Sequence, residues 1–144
     1  LKRMRRHITD GLRKTDFAWL VVDKDQWTDD QLRELLAWSK QNPRYGLAVS
    51  NPKFEYWLLL HFEDGNGSIS AHTCNARLKH HIPGYNKSTG IESAWPGVRN
   101  AIARAKQKEA SAPQASWPET KGSSVYKLVE ELLETRATEP PQGL

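Results

Sequence analysis

Two short apolar runs near the start of the chain constrain the fold more than any other feature. FAWLVV spans residues 17–22 and YGLAVS spans residues 45–50. Both are too short for buried helices and rich in branched or aromatic side chains, which predicts strands. The first run has no alternation of apolar and polar residues, so we expect a strand buried on both faces, as in a parallel sheet.

Segments with helical spacing precede, separate and follow these runs. Residues 1–14 and 28–42 carry apolar side chains at three- and four-residue intervals, and Thr28 is the expected N-cap of the second segment. Residues 52–62, PKFEYWLLLHF, predict a buried helix with Asn51 as its cap. The order helix–strand–helix–strand–helix is typical of an α/β protein with a mostly parallel sheet flanked by helices.

The remainder of the chain predicts a mainly helical C-terminal half. Helical spacing recurs at residues 70–82, 97–110 and 123–136, and the Pro/Ser-rich residues 111–124 predict an exposed loop. We therefore predict a single domain over residues 1–144, with an α/β core at 1–64, a mainly helical part at 65–137 and a flexible tail at 138–144.

Composition narrows the functional classes. A formal net charge of +4 permits a polyanionic partner without requiring one, because basic residues also aid solubility. The single cysteine, Cys74, excludes an internal disulfide and a cysteine-based zinc cluster. No apolar run approaches the roughly 18 residues of a membrane-spanning helix, and nothing resembles a signal peptide. We expect a cytoplasmic protein.

Acidic side chains follow both predicted strands. Asp23 and Asp25 come after the first, and Glu55 lies in the first turns of the helix after the second. The carboxyl ends of parallel strands meet at one edge of a sheet, so we expect the three carboxylates to converge there. In an extended segment, residues two apart point to the same side, which would bring Asp23 and Asp25 together. Two such oxygen donors fit Mg²⁺.

Each of these acids also has a purely structural interpretation. Asp25 could be a loop residue before a helix, and Glu55 could only stabilise the start of its helix, by about 0.3–1 kcal/mol. We expect Glu55 to be tolerated because it lies at the rim of the sheet while Trp57 and its apolar neighbours point inward. His61 lies roughly 120° around the helix from Glu55, which favours a packing role.

The strand followed by DKD, and then SNPKFEYWLLLHF at residues 50–62, resembles the RloB-like proteins. These are prokaryotic proteins associated with restriction and abortive-infection loci. Their pattern is an apolar strand, D-x-D, a helix and then S-N-P-x-F-E-x-W-L-L-L-H-F. The segments LKHHIPGYNKS, NAIARAK and SSVYKLVEELL are also similar to that family, so the resemblance covers nearly the whole chain.

The resemblance implies a Toprim-like (Rossmannoid) fold. It also implies a nuclease that depends on Mg²⁺ or Mn²⁺ and acts in a phage-defence system, with an ATPase as a candidate partner protein. It carries over Asp23 and Asp25 as metal ligands and assigns them, with Glu55, to catalysis. Lys87 and Lys79 are candidates to bind the phosphates of a nucleic acid, or are solvated surface lysines. Toprim-like proteins have an earlier strand that ends in glutamate; no such segment precedes Leu1, so we expect the N-terminal strand to be absent from this chain.

Two other functions stay open. A phosphatase of the haloacid-dehalogenase type also places D-x-D after a buried strand, although Trp27 stands where that family usually has Thr or Val. A non-catalytic module that binds nucleic acid or a partner ATPase is the second, and the missing glutamate favours it. Trp95 and Trp117, each followed by proline, could stack on bases or could pin loops to the core.

Overall fold

The computed structural model describes residues 1–67, 69–112 and 116–138 as an α/β structure in which helices predominate. In chain order the elements are α1 (Lys2–Gly11), β1 (Ala18–Asp23), a first 3₁₀ helix (Lys24–Gln26), α2 (Asp29–Ser39), β2 (Tyr45–Asn51), α3 (Phe54–Leu59), α4 (Ala71–His81), a second 3₁₀ helix (Ile91–Gly97), α5 (Val98–Ser111), β3 (Gly122–Ser123) and α6 (Val125–Thr138). The predicted tail lies outside the described residues from residue 139 onward.

The sheet has three strands in the order β1-β2-β3. β1 and β2 are parallel, from the pair Ala18 and Tyr45 to the pair Asp23 and Ser50, which confirms the predicted arrangement of the two apolar runs. β3 pairs antiparallel with the end of β2, so the sheet is mixed. The prediction of an exposed loop at residues 111–124 is wrong at its end, because β3 is buried. Two small residues carry no apolar signal from which a strand could be predicted.

β1 is not buried on both faces, contrary to our expectation. It lies at an edge of the sheet, and Val21 is 44 % exposed, whereas Ala18 at the start of the strand is buried. The central strand β2 is the buried one. Ala48 and Val49, adjacent along β2, belong to two separate hydrophobic clusters because successive side chains point to opposite faces.

Helices therefore cover both faces of the sheet. α3, α4, α5 and α6 contribute to the larger cluster, together with Ala48, while α2 packs Leu32 and Leu35 against Val49 on the other face. Among the residues that the structure describes, none of the helices has the length and apolar character needed to cross a membrane.

α2 begins as its sequence predicts. Thr28 and Gln31 form a capping box, in which the Gln31 N–H donates to Thr28 Oγ1 at 3.2 Å and the Thr28 N–H donates to Gln31 Oε1 at 2.9 Å. Trp38 completes the buried face of the helix and stacks on Tyr45 at the start of β2, with ring centroids 4.6 Å apart. Leu36, next to Leu35 in the sequence, is only half-buried.

The connection from β2 to α3 differs from the predicted helix over residues 52–62. β2 continues through Asn51, which pairs with Gly122 of β3 and donates from its side chain to the Pro118 carbonyl at 3.0 Å. Asn51 is therefore extended and does not cap a helix. The Asn51–Pro52 peptide bond is cis, and the helix begins only at Phe54, after Lys53.

Candidate functional site

Two hydrogen bonds donated by backbone N–H groups connect the segment at the end of β1 with the segment at the start of α3. The Phe54 N–H donates to Asp23 Oδ1 at 2.9 Å, and the Asp25 N–H donates to the Pro52 carbonyl at 3.0 Å. The Asp23 carboxylate thus lies against the first residue of α3, and Glu55 is the next residue of that helix.

Asp23 is the centre of a small group of charges. Burial raises its pKa above the ordinary value; the hydrogen bond from Phe54 opposes this effect, and the negative charges of Glu55 and Asp25 add to it. The positive charge of Lys87 has a smaller effect in the opposite direction, and the pKa of Asp23 remains raised. The structure therefore brings the other two predicted acids, Asp25 and Glu55, and one predicted lysine, Lys87, within electrostatic range of Asp23.

Asp25 reaches this group by a different backbone path from the one expected. The strand ends at Asp23, and Asp25 lies in the first 3₁₀ helix, so the side-to-side alternation of a strand does not apply. The hydrogen bond from the Asp25 N–H to the Pro52 carbonyl connects this 3₁₀ helix to the segment before α3. Asp25 is exposed, while Lys24 lies next to Asp29 at 3.2 Å.

Glu55 does not lie at a solvent-exposed rim, and that explanation of its presence is wrong. Glu55 is only 4 % exposed. The Tyr85 hydroxyl donates to Glu55 Oε1 at 3.5 Å, a long hydrogen bond, and burial followed by the Glu55 charge raises the pKa of Tyr85 to about 12. Within the described part of the chain, no Lys, Arg or His forms an ion pair with Glu55.

The two predicted phosphate-binding lysines occupy different surroundings. Lys87 is exposed in the loop that follows α4 and is one of the charges that act on Asp23. Lys79 is exposed in the last turn of α4 and is not among those charges. Tyr85, two residues before Lys87, was missed at the level of sequence, although it stands in the same GYNKS segment.

The oxygen donors of Asp23 and Asp25 fit Mg²⁺ in their chemistry. This ion commonly takes only one or two protein carboxylates and completes its shell with water and phosphate oxygens. Phe54 occupies Asp23 Oδ1, which leaves Oδ2 for a ligand. Within residues 1–67, 69–112 and 116–138, no group of three or more His, Cys, Asp and Glu side chains is placed to hold a metal ion.

The histidine and tryptophans of the motifs take separate roles. His61 is buried, and its Nδ1 donates to the Trp57 carbonyl at 2.9 Å, which confirms the predicted packing role. Trp117 is half-buried against the cluster around α2, as a tryptophan that pins its loop would be. Trp95, in contrast, is 53 % exposed.

We expect His61 to make the protein less stable in mild acid. Burial lowers the pKa of His61 below 6.5, so the stability that its neutral form provides is complete above that pH and is lost as the pH falls through the folded-state pKa. Urea unfolding at pH 7.5 and pH 5 measures the loss. His61→Gln should lose less stability between these pH values than the wild type. The control His7→Gln, at an exposed histidine, should lose as much stability as the wild type. Equal losses in all three proteins would show that His61 does not cause the acid sensitivity.

Comparison with known proteins gives one match. A family model described as RloB-like protein matches residues 1–132. Neither the curated proteins nor the solved structures contain a match to the chain.

Proposed function

Because the chain belongs to the RloB-like family, we propose that it is a nuclease of a prokaryotic phage-defence system that depends on Mg²⁺ or Mn²⁺ and has a Toprim-like fold. The observation that carries the proposal is the geometry at the end of β1: the Phe54 N–H donates to the Asp23 carboxylate at 2.9 Å, and Glu55 follows Phe54 in α3. Burial raises the pKa of Asp23, and the nearby carboxylates Glu55 and Asp25 add to this effect. Such clusters of like charge are unfavourable without a cation, and perturbed carboxylates concentrate at functional sites.

In this proposal Asp23 and Asp25 hold the metal ion. A bound ion would supply positive charge to neutralise a phosphodiester and would lower the pKa of a bound water. The Phe54 N–H fixes the orientation of the Asp23 carboxylate. Glu55 would contribute a third carboxyl group near Asp23, and the Tyr85 hydroxyl holds Glu55 in place.

The direct test is to incubate the purified protein with end-labelled single- and double-stranded DNA and RNA, with Mg²⁺, Mn²⁺ or EDTA. Cleavage that requires the metal and is lost in Asp23→Asn supports the proposal. Cleavage that is equal in the two proteins, or that is unchanged by EDTA, contradicts it.

A second candidate function is a module that binds nucleic acid or a partner ATPase without cleaving anything. The burial of Glu55 favours it, since a residue that is 4 % exposed has little access to an ion at the surface. Titrations at two salt concentrations separate the candidates: binding with a steep salt dependence and no cleavage supports a nucleic-acid module. The absence of any nucleic-acid binding supports a protein partner.

Lys87→Ala should weaken nucleic-acid binding more than Lys79→Ala. Both lysines are exposed, but only Lys87 lies among the charges around Asp23, where a scissile phosphate would be held. Loss of one phosphate contact should reduce the slope of log affinity against log salt by about 1. Filter binding at several salt concentrations from about 50 to about 200 mM, a range over which phosphate contacts weaken strongly, measures both the affinity and its dependence on salt. An equal or larger effect of Lys79→Ala would reverse this assignment.

A further inference from the structure

An apolar pocket of about 620 Å³ opens between α3 and the second 3₁₀ helix. This volume lies within the range of roughly 300–1,000 Å³ typical of small-ligand pockets. One wall consists of Phe54, Trp57, Leu58 and His61, and the opposite side includes Ile91, Trp95 and Val98. Its one acidic group is Glu92.

The pocket adjoins the acidic group around Asp23. Phe54 belongs to both, because it lines the pocket and its N–H binds the Asp23 carboxylate. The segment of residues 85–95 also connects them. It begins with Tyr85 on Glu55, continues through Lys87 near Asp23 and ends with Trp95 in the pocket wall.

Two large apolar side chains in the wall of the pocket are exposed to solvent. Trp95 is 53 % and Ile91 42 % exposed, so a large indole ring faces solvent beside an apolar surface. Such a ring offers a face on which a planar base can stack, whatever its sequence. The Glu92 carboxylate can accept a hydrogen bond from the exocyclic amine of a base.

We propose that this pocket receives one unpaired nucleobase of a strand whose neighbouring phosphate lies at Asp23, so that the substrate is a single-stranded nucleic acid. The inference rests on the proposed function and names its substrate class. Bases paired and stacked within a duplex cannot present a face to Trp95 unless they leave the stack, which costs free energy. Lys87 provides the positive charge for the backbone of the strand.

Binding without cleavage separates this inference from the nuclease proposal. The titration uses Asp23→Asn protein in EDTA, with a labelled single-stranded oligonucleotide, the same strand with abasic sites at its centre, and the matching duplex. We expect the intact single strand to bind roughly 10-fold more tightly than the abasic strand, as expected for the loss of one stacked base. Base-dependent binding together with absent cleavage in the wild type would support the pocket and refute only the nuclease.

Trp95→Ala tests the residue that would stack, with Leu132→Ala as its matched control. Leu132 is an exposed apolar residue of α6 that does not line the pocket. In the same Asp23→Asn background, Trp95→Ala should lose most of the roughly 10-fold preference for the intact strand, Trp95→Phe should keep much of it, and Leu132→Ala should keep all of it. The slope of affinity against salt should not change, since no charge is removed.

Circular dichroism establishes that each variant is folded. The inference is overturned if the abasic and intact strands bind equally to the parent protein. It is also overturned if Trp95→Ala keeps the full preference, if the duplex binds most tightly, or if no oligonucleotide binds. In this last case the side chain of a protein partner becomes the better candidate for the pocket.

Discussion

Asp23→Asn should abolish metal-dependent cleavage and yet raise the melting temperature of the metal-free protein. The substitution removes a negative charge from the proposed metal site, and loss of one group on which electrostatic stabilisation of a transition state depends commonly reduces the rate by roughly 100-fold or more. The amide keeps an oxygen that can accept the Phe54 N–H, so the local backbone need not change. Activity and stability should thus move in opposite directions.

The expected stabilisation follows from the raised pKa of Asp23, caused first by burial and then by nearby carboxylates. An acid whose pKa is raised in the folded state disfavours folding when it is ionised. This penalty is complete above the folded-state pKa and disappears as the pH falls below 3.8, where the group is protonated in both states. The advantage of Asp23→Asn should therefore be present at pH 7 and decline in acid.

Thermal unfolding in EDTA and in Mg²⁺ provides the measurement. The wild type should gain stability from Mg²⁺, because a ligand that binds the folded state stabilises it, whereas Asp23→Asn should gain much less. Asp10→Asn, an exposed acid on α1, is the charge-matched control and should respond to Mg²⁺ like the wild type. A variant Asp23→Asn that melts below the wild type in EDTA would contradict the electrostatic account of the site.

The parts of this fold that sequence could predict are those with a local signal. The two apolar runs predicted the parallel pair, and Thr28 as the expected N-cap predicted the start of α2 within one residue. β3 has no such signal, because Gly122 and Ser123 become a strand only through pairing with the end of β2. The same pairing keeps Asn51 in an extended conformation, and α3 therefore begins after Pro52, at Phe54.

The candidate site divides in the same way. Asp23, Asp25 and Glu55 follow from the rule that parallel strands end at one edge, and both Asp25 and Glu55 lie within electrostatic range of Asp23. The burial of Glu55 and its contact with Tyr85 depend on a loop 30 residues away in the chain, which periodicity does not detect. The pocket beside Phe54 likewise requires residues of α3 and the second 3₁₀ helix to meet.

Gly97→Ala should destabilise the protein more than any change of a surface residue. Gly97 has a φ of −91°, so an alanine could adopt its backbone conformation, and the constraint is space. A Cβ at this position would overlap the carbonyl oxygen of His61 and lie 3.0 Å from its carbonyl carbon. The backbone after α3 would have to move, at the upper end of the roughly 1–3 kcal/mol that overpacking costs.

Because Gly97 joins the second 3₁₀ helix to α5, this movement would also shift the wall that carries Trp95. Thermal unfolding should show a decrease of several degrees, since each kcal/mol corresponds to about 2–4 °C in a chain of this size. Gly11→Ala is the matched control: a Cβ at Gly11 meets nothing within 4 Å, so its melting temperature should equal or slightly exceed that of the wild type. If Gly97→Ala melts with the control, the close packing of the second 3₁₀ helix on His61, and with it the position of the pocket wall, is incorrect.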